Sequence, residues 1–122
     1  MNENRVTSLA YLDEVTGGDP EIIKEFIEMF LEQIVEFRTG LQNHLENKRY
    51  KELGELAHKA KSSVMTFGMN DLGVRLKQLQ LKTQKLEEID SYEEHVAEFE
   101  TLISQAETEL RNALVEIEKE TR

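Results

Sequence analysis

The sequence predicts an all-α protein: an antiparallel, up-down-up-down four-helix bundle preceded by one short extra helix. Helix-breaking residues are scarce, because only one proline and six glycines occur among 122 residues. Apolar residues recur with helical spacing in four long segments, and no stretch alternates polar and apolar residues as a strand would. The connections between the four segments are short, which favours antiparallel neighbours.

The first two helices can be placed from their end signals. A short helix is predicted over residues 8–15, and the two glycines at 17–18 relieve the steric cost of leaving it. Asp19 is expected to cap the second helix, and Pro20 fits its first position. This helix extends to about Asn47. Its apolar stripe comprises Ile23, Phe26, Ile27, Phe30, Ile34, Phe37, Leu41 and Leu45.

Three further helices are predicted over residues 50–67, from about residue 70, and from residue 91, where Ser91 and Glu94 form a capping-box pattern. The third helix is expected to bury Leu53, Leu56, Ala57, Ala60, Val64 and Phe67. The stripe of the fourth comprises Leu72, Leu76, Leu79, Thr83 and Leu86. The stripe of the fifth comprises Val96, Phe99, Ile103, Ala106, Leu110, Ala113 and Ile117.

Length and composition bound the class of protein. A chain of 122 residues suits one domain, here residues 1–122 with a core of about 8–118. The net charge of −10 disfavours nucleic acids and anionic membranes, and no apolar run approaches the ~20 residues that cross a bilayer. The absence of cysteine excludes disulfide and thiolate chemistry and fits a cytoplasmic location. We expect a monomeric, free-standing protein with protein partners.

The most informative pattern lies in the third helix, around His58. This histidine is out of phase with the buried residues, and Lys61, Ser62 and Gly54 share its face. A neutral imidazole nitrogen is a nucleophile that can hold a phosphoryl group, and a lysine can offset the charge of the phosphoryl oxygens. Gly54 and Ser62 leave room for another protein's active site. A solvated histidine beside a solvated lysine is the alternative, and the surrounding pattern favours the functional interpretation.

This stretch resembles the signature of the histidine-phosphotransfer (HPt) domain family, in which a lysine, small residues and a glycine follow the histidine at fixed spacing. The residues on that pattern are His58, Lys61, Ser62, Ser63 and Gly68. The segment 12–21 resembles the family's usual start, as does the spacing of Phe26, Phe30 and Leu31. Ser62 departs from the family, which usually has glycine there. The resemblance is strong over residues 9–86. In the last helix it extends only to the helical architecture.

The resemblance implies a phosphoryl carrier of a multistep two-component phosphorelay. His58 would accept a phosphoryl group from a receiver-domain aspartate and pass it to another receiver. Gln80 would hydrogen-bond the imidazole and fix its tautomer, although an ordinary surface glutamine is equally consistent with the sequence. The partners would be receiver domains of response regulators or hybrid sensor kinases. Mg²⁺ is expected on the receiver, with no cofactor or metal on this chain, and the direction of net transfer stays open.

Exposed apolar residues near His58 predict a docking surface. Met65 lies further along the same flank, and Val74 and Leu81 lie off the core stripe of the fourth helix. Ile22 and Met29 lie off the stripe of the second helix in the same way. For these two residues, burial in a wide bundle core is as good an explanation as docking.

Competing functions lack their motifs. Glu55 and His58 form the Glu-x-x-His pair of di-iron bundles, but His44 and His95 have no glutamate three residues earlier, so the second pair is missing. No glycine-rich phosphate loop is present, which predicts no independent kinase activity. The alternative that remains is a non-catalytic helical adaptor that binds a receiver or kinase without accepting phosphate.

Overall fold

The computed structural model describes residues 5–120, and within that range the chain is helical without a strand. A 3₁₀ turn at Ile89–Ser91 precedes the last helix. The five α-helices are α1 (Ala10–Thr16), α2 (Pro20–Glu46), α3 (Tyr50–Thr66), α4 (Asn70–Lys85) and α5 (Tyr92–Glu120). The all-α prediction is therefore confirmed. The last two helices begin within one residue of the predicted positions, and α1 is shifted by one or two residues towards the C-terminus.

The signals at the start of α2 act as predicted. The side chain of Asp19 accepts a hydrogen bond from the N–H of Glu21 at 3.0 Å, and Pro20 is the first helical residue. An aspartate at this position satisfies one of the free N–H groups of the first turn. Three consecutive residues, 19–21, therefore define the start of α2.

The helices pack around one apolar core. Helix α3 packs most extensively against α4, while α2 packs against both α3 and α5. The stripe predicted for α5 is buried, apart from a half-buried Ala113. Tyr92 is fully buried and donates its hydroxyl to the carbonyl oxygen of Lys82 at 2.9 Å. Neither the burial of Tyr92 nor that of Leu31 was predicted.

Two predicted core residues are exposed instead. Phe26 is 38% exposed, because it lies at the edge of α2 that faces α3 and lines a surface depression with Met29 and Ser63. Leu86 is 59% exposed, because it follows the last turn of α4 in the left-handed conformation, with φ of 54°. The prediction that these two side chains belong to the core was wrong.

Candidate functional site

His58 lies in the middle of α3 with its side chain exposed. Its neighbours Ala57 and Ala60 are fully buried, so the backbone of this turn is held against the core. Helical geometry then directs the side chain at position 58 outwards. The imidazole is therefore carried on a rigid element while it stays open to an approaching protein.

The imidazole has one hydrogen-bonding partner on the neighbouring helix. Nδ1 of His58 lies 3.1 Å from Oε1 of Gln80 in α4. An amide oxygen only accepts hydrogen bonds, so this contact requires the proton of a neutral imidazole to be on Nδ1. Nε2 then carries the lone pair, and within residues 5–120 it has no hydrogen-bonding partner. The arrangement can present a nucleophilic nitrogen to solvent.

Gly54 does not lie on the exposed flank where the sequence placed it. It is buried against α4, where an added Cβ would overlap the hydroxyl oxygen of Thr83. That hydroxyl donates to the backbone carbonyl of Gln80 at 2.8 Å. The missing side chain at position 54 thus allows α3 and α4 to approach closely one turn from His58. This close approach brings Gln80 opposite the imidazole.

Lys61 and Ser62 lie one turn after His58, as predicted from their spacing. Lys61 is half-buried, and within residues 5–120 it has no ion-pair partner. By contrast, the ammonium of Lys59 lies 2.8 Å from the carboxylate of Glu36. Ser62 is exposed. The cation that remains available beside the imidazole in this turn is therefore Lys61.

A cleft of about 700 Å³ opens between α3 and α4 beside the imidazole. Leu86, which was predicted to be buried, lies at its edge because of the left-handed turn after α4. The cleft is lined by Lys51, Gly54, Glu55, His58, Gln80, Thr83, Gln84 and Leu86.

Exposed apolar side chains occur on α3 and on the neighbouring α4. Met65, Val74 and Leu81 are exposed, as the docking prediction requires of them. Ile22 and Met29 are also exposed, so they are not part of the core. Tyr11 of α1 is 55% exposed and lines a shallow depression with Ser62, Met65 and Thr66. Sequence reasoning missed Tyr11 and Phe26 as surface residues of this region. The signal that could have identified Tyr11 is the presence of an aromatic residue on so short a helix.

The other two histidines have different surroundings. Nε of Arg49, directly before α3, donates to Nδ1 of His44 in the last turn of α2 at 3.4 Å. His95 is half-buried, and its Nε2 lies 3.1 Å from the ammonium of Lys82. Burial, followed by the charge of Lys82, lowers the pKa of His95. Within residues 5–120, neither side chain combines the exposed position and amide partner of His58.

Residues 5–120 contain no group of three or more His, Asp or Glu side chains placed to hold a metal ion. None of the helices in this range has an apolar stretch long enough to span a bilayer.

Comparison with known protein families identifies the class. The model of the Hpt domain matches residues 25–117, which includes the whole of α3 and α4 and most of α2 and α5. The chain therefore belongs to the Hpt domain family, whose members are phosphotransfer carriers in phosphorelays that interact with receiver domains. Searches of curated proteins and of solved structures gave no match.

Proposed function

We propose that His58 accepts a phosphoryl group from an aspartyl phosphate of a receiver domain and passes it to a second receiver. The observation that carries this proposal is the contact of His58 with Gln80. It occupies Nδ1 and leaves the lone pair on Nε2 of an exposed side chain, on a helix that the core holds in place. Membership of the Hpt domain family supports the general role of phosphoryl carrier.

The proposed step is a direct displacement at phosphorus. The lone pair of Nε2 of His58 attacks the phosphorus atom while the bond from phosphorus to the aspartyl oxygen breaks. The aspartate leaves as a carboxylate, and the reverse step regenerates the aspartyl phosphate. In-line phosphoryl transfer depends mainly on positioning and charge stabilisation. In this step Gln80 orients the ring, and Lys61 offsets charge on the phosphoryl oxygens. Mg²⁺ belongs to the receiver, and this chain supplies no cofactor.

The docking surface in this proposal surrounds the imidazole. Ser62 keeps the approach to His58 open because its side chain is short and exposed. Met65, Val74 and Leu81 supply exposed apolar area of the kind that marks a partner site. Gly54 contributes indirectly, because its missing side chain lets Gln80 approach the imidazole.

We infer one domain over residues 1–122, an up-down-up-down arrangement, a monomeric state and a cytoplasmic location, without independent kinase activity or nucleic-acid binding. Contacts between α3 and α4 support the antiparallel order, because Gly54 faces Thr83 while Met65 faces Gly73, in opposite directions along the two helices.

The test is phosphotransfer from a phosphorylated receiver domain, followed by the intact mass of this protein. Wild type should gain one phosphoryl group that is acid-labile and base-stable. His58→Gln should gain none and keep its helicity, whereas the matched control His44→Gln should be labelled normally. Retained labelling of His58→Gln would contradict the assignment. Binding of the receiver without any transfer to wild type would favour the adaptor instead.

A further inference from the structure

The segment before α1 is fastened to the opposite end of the chain by one carboxylate. Oε1 of Glu109 in α5 accepts hydrogen bonds from the N–H and the hydroxyl of Thr7, at 2.9 and 2.5 Å. Oε2 accepts from the N–H of Val6 at 2.9 Å. Thr7 is only 7% exposed, and 13% of the Glu109 side chain is exposed. Charge-assisted hydrogen bonds of this kind are short and strong.

The next residue continues the attachment to the site-bearing helix. The N–H of Ser8 donates to the carbonyl oxygen of Phe67 at 2.8 Å, directly after α3. Gly68 has φ of 79°, and a Cβ there would lie 2.7 Å from the Cβ of Ser8. Only a glycine fits this backbone conformation and this close approach without strain. Residues 6–8 therefore form a strap from α5 to the end of α3.

The strap is followed by α1, a helix whose position depends on contacts with the rest of the protein. Helix α1 has seven residues, its N-cap makes no side-chain hydrogen bond, and Leu12 is its one buried residue. Isolated helices of this length are marginal in water, so the position of α1 depends on its tertiary anchors. Tyr11, on this helix, borders the depression that Ser62 and Met65 line next to the site.

We propose that Glu109 is a positioning residue for receiver docking, which acts through the strap and α1 to hold Tyr11 beside the face of His58. This inference rests on the proposed function, because it assigns a determinant of receiver affinity to that same site. Glu109 itself lies on α5 and lines neither the cleft beside His58 nor the depression beside Ser62.

The experiment compares steady-state transfer kinetics of wild type, Glu109→Ala, Glu109→Gln, Tyr11→Ala and the double variant with a receiver that phosphorylates wild type. Glu109→Ala should raise the KM for the receiver by roughly tenfold and leave kcat within about twofold, because the loss is in docking and not in chemistry. Glu109→Gln keeps an acceptor oxygen, so its KM should lie between those of wild type and Glu109→Ala. The KM of the double variant Glu109→Ala/Tyr11→Ala should be close to that of each single variant, since both substitutions remove the same contact between Tyr11 and the receiver.

Two controls separate docking from folding. Phosphoramidate, a small phosphoryl donor that needs no docking surface, should label His58 equally in Glu109→Ala and wild type. Glu107→Ala, on the same helix but paired with Arg38 and Arg111, should leave KM unchanged. An unchanged KM in Glu109→Ala, additive effects with Tyr11→Ala, or a fall in kcat alone would overturn the inference while the proposed function stands. If wild type accepts phosphate from phosphoramidate but from no receiver, the proposed function fails, and this inference fails with it.

Discussion

Nδ1 of His58 and Oε1 of Gln80 lie 3.1 Å apart, on two different helices and twenty-two positions apart in the sequence. The contact spans the α3–α4 interface at a point where Gly54 and Thr83 bring the two backbones together. It links a packing feature of the fold to the protonation pattern of the imidazole. The pair therefore gives the most direct structural test of the site.

Replacing Gln80 by Ala should slow transfer without abolishing it. The imidazole would lose the acceptor that keeps the proton on Nδ1, so a smaller fraction of molecules would present an unprotonated Nε2. We expect a rate about 10-fold lower at saturating receiver, which corresponds to about 1.4 kcal/mol of transition-state stabilisation. Nitrogen chemical shifts of His58 should show a larger share of the Nε2–H tautomer. Gln78→Ala, an exposed position of the same helix, is the matched control. An unchanged tautomer together with an unchanged rate would contradict the role of Gln80.

Lys61 offers a separate test of charge stabilisation. Lys61 lies one turn after His58 in α3 and has no ion-pair partner within residues 5–120. Lys61→Ala should slow transfer by about 10-fold and cost little stability, because a partly exposed charge contributes little to folding. The control is Lys59→Ala, which removes a lysine already paired with Glu36. Equal rates in wild type and Lys61→Ala would mean that the receiver supplies all the charge the step needs.

Acid should weaken the attachment of the N-terminal strap. Burial by itself would raise the pKa of Glu109, but hydrogen bonds from the Thr7 hydroxyl and from the N–H groups of Val6 and Thr7 outweigh it and lower the pKa. A carboxyl whose pKa is lower in the folded state stabilises the fold above its unfolded pKa. That contribution is lost as the pH falls through the folded pKa.

Glu109→Gln should therefore be less stable than wild type at neutral pH, and the gap between the two should narrow in acid. Urea unfolding at a series of pH values measures this gap. Glu116→Gln is the control, because within residues 5–120 the one ion pair of Glu116 is an exposed pair with Lys119, and its loss should change stability little. A gap between wild type and Glu109→Gln that stays constant down to acid pH would show that the charge of the carboxylate does not stabilise the strap.

Local patterns in the sequence predicted the parts of this protein that depend on one helix at a time. The cap at Asp19 and the outward direction of His58 follow from end signals and from a period of 3.6 residues. These features do not depend on how neighbouring helices are arranged, so sequence alone is enough to place them.

Features that depend on the contact between helices were predicted less well. Gly54 was placed on an open flank, whereas its absent side chain serves the close packing against Thr83. Phe26 and Leu86 fit the apolar stripes of their helices, but Phe26 lines a surface depression and the left-handed end of α4 leaves Leu86 exposed. The strap held by Glu109 joins residues 102 and 103 positions apart, and no local pattern marks such a pair.

Enlarging Ser62 tests whether a receiver approaches over this face. Ser62 is exposed and borders the same depression as Tyr11 and Met65, one turn after His58. Ser62→Gln should leave the bundle folded, since Gln is a good helix former and the position points to solvent. It should nevertheless block transfer and weaken receiver binding, because a near-attack distance of about 3–3.5 Å leaves no space for the longer side chain.

The matched variant is Ser62→Ala, which removes the hydroxyl without adding bulk and should transfer at a rate close to that of wild type. Transfer kinetics and receiver affinity are measured together for wild type and both variants, and phosphoramidate labelling checks that His58 stays reactive. Loss of both transfer and affinity in Ser62→Gln alone would place the receiver over Ser62, because the two variants differ in bulk and agree in lacking the hydroxyl. Equal impairment of both variants would instead assign a direct role to the hydroxyl. Normal transfer and affinity in Ser62→Gln would show that the phosphoryl group reaches His58 from another direction, and the cleft bordered by Glu55 and Gln84 is open to such an approach.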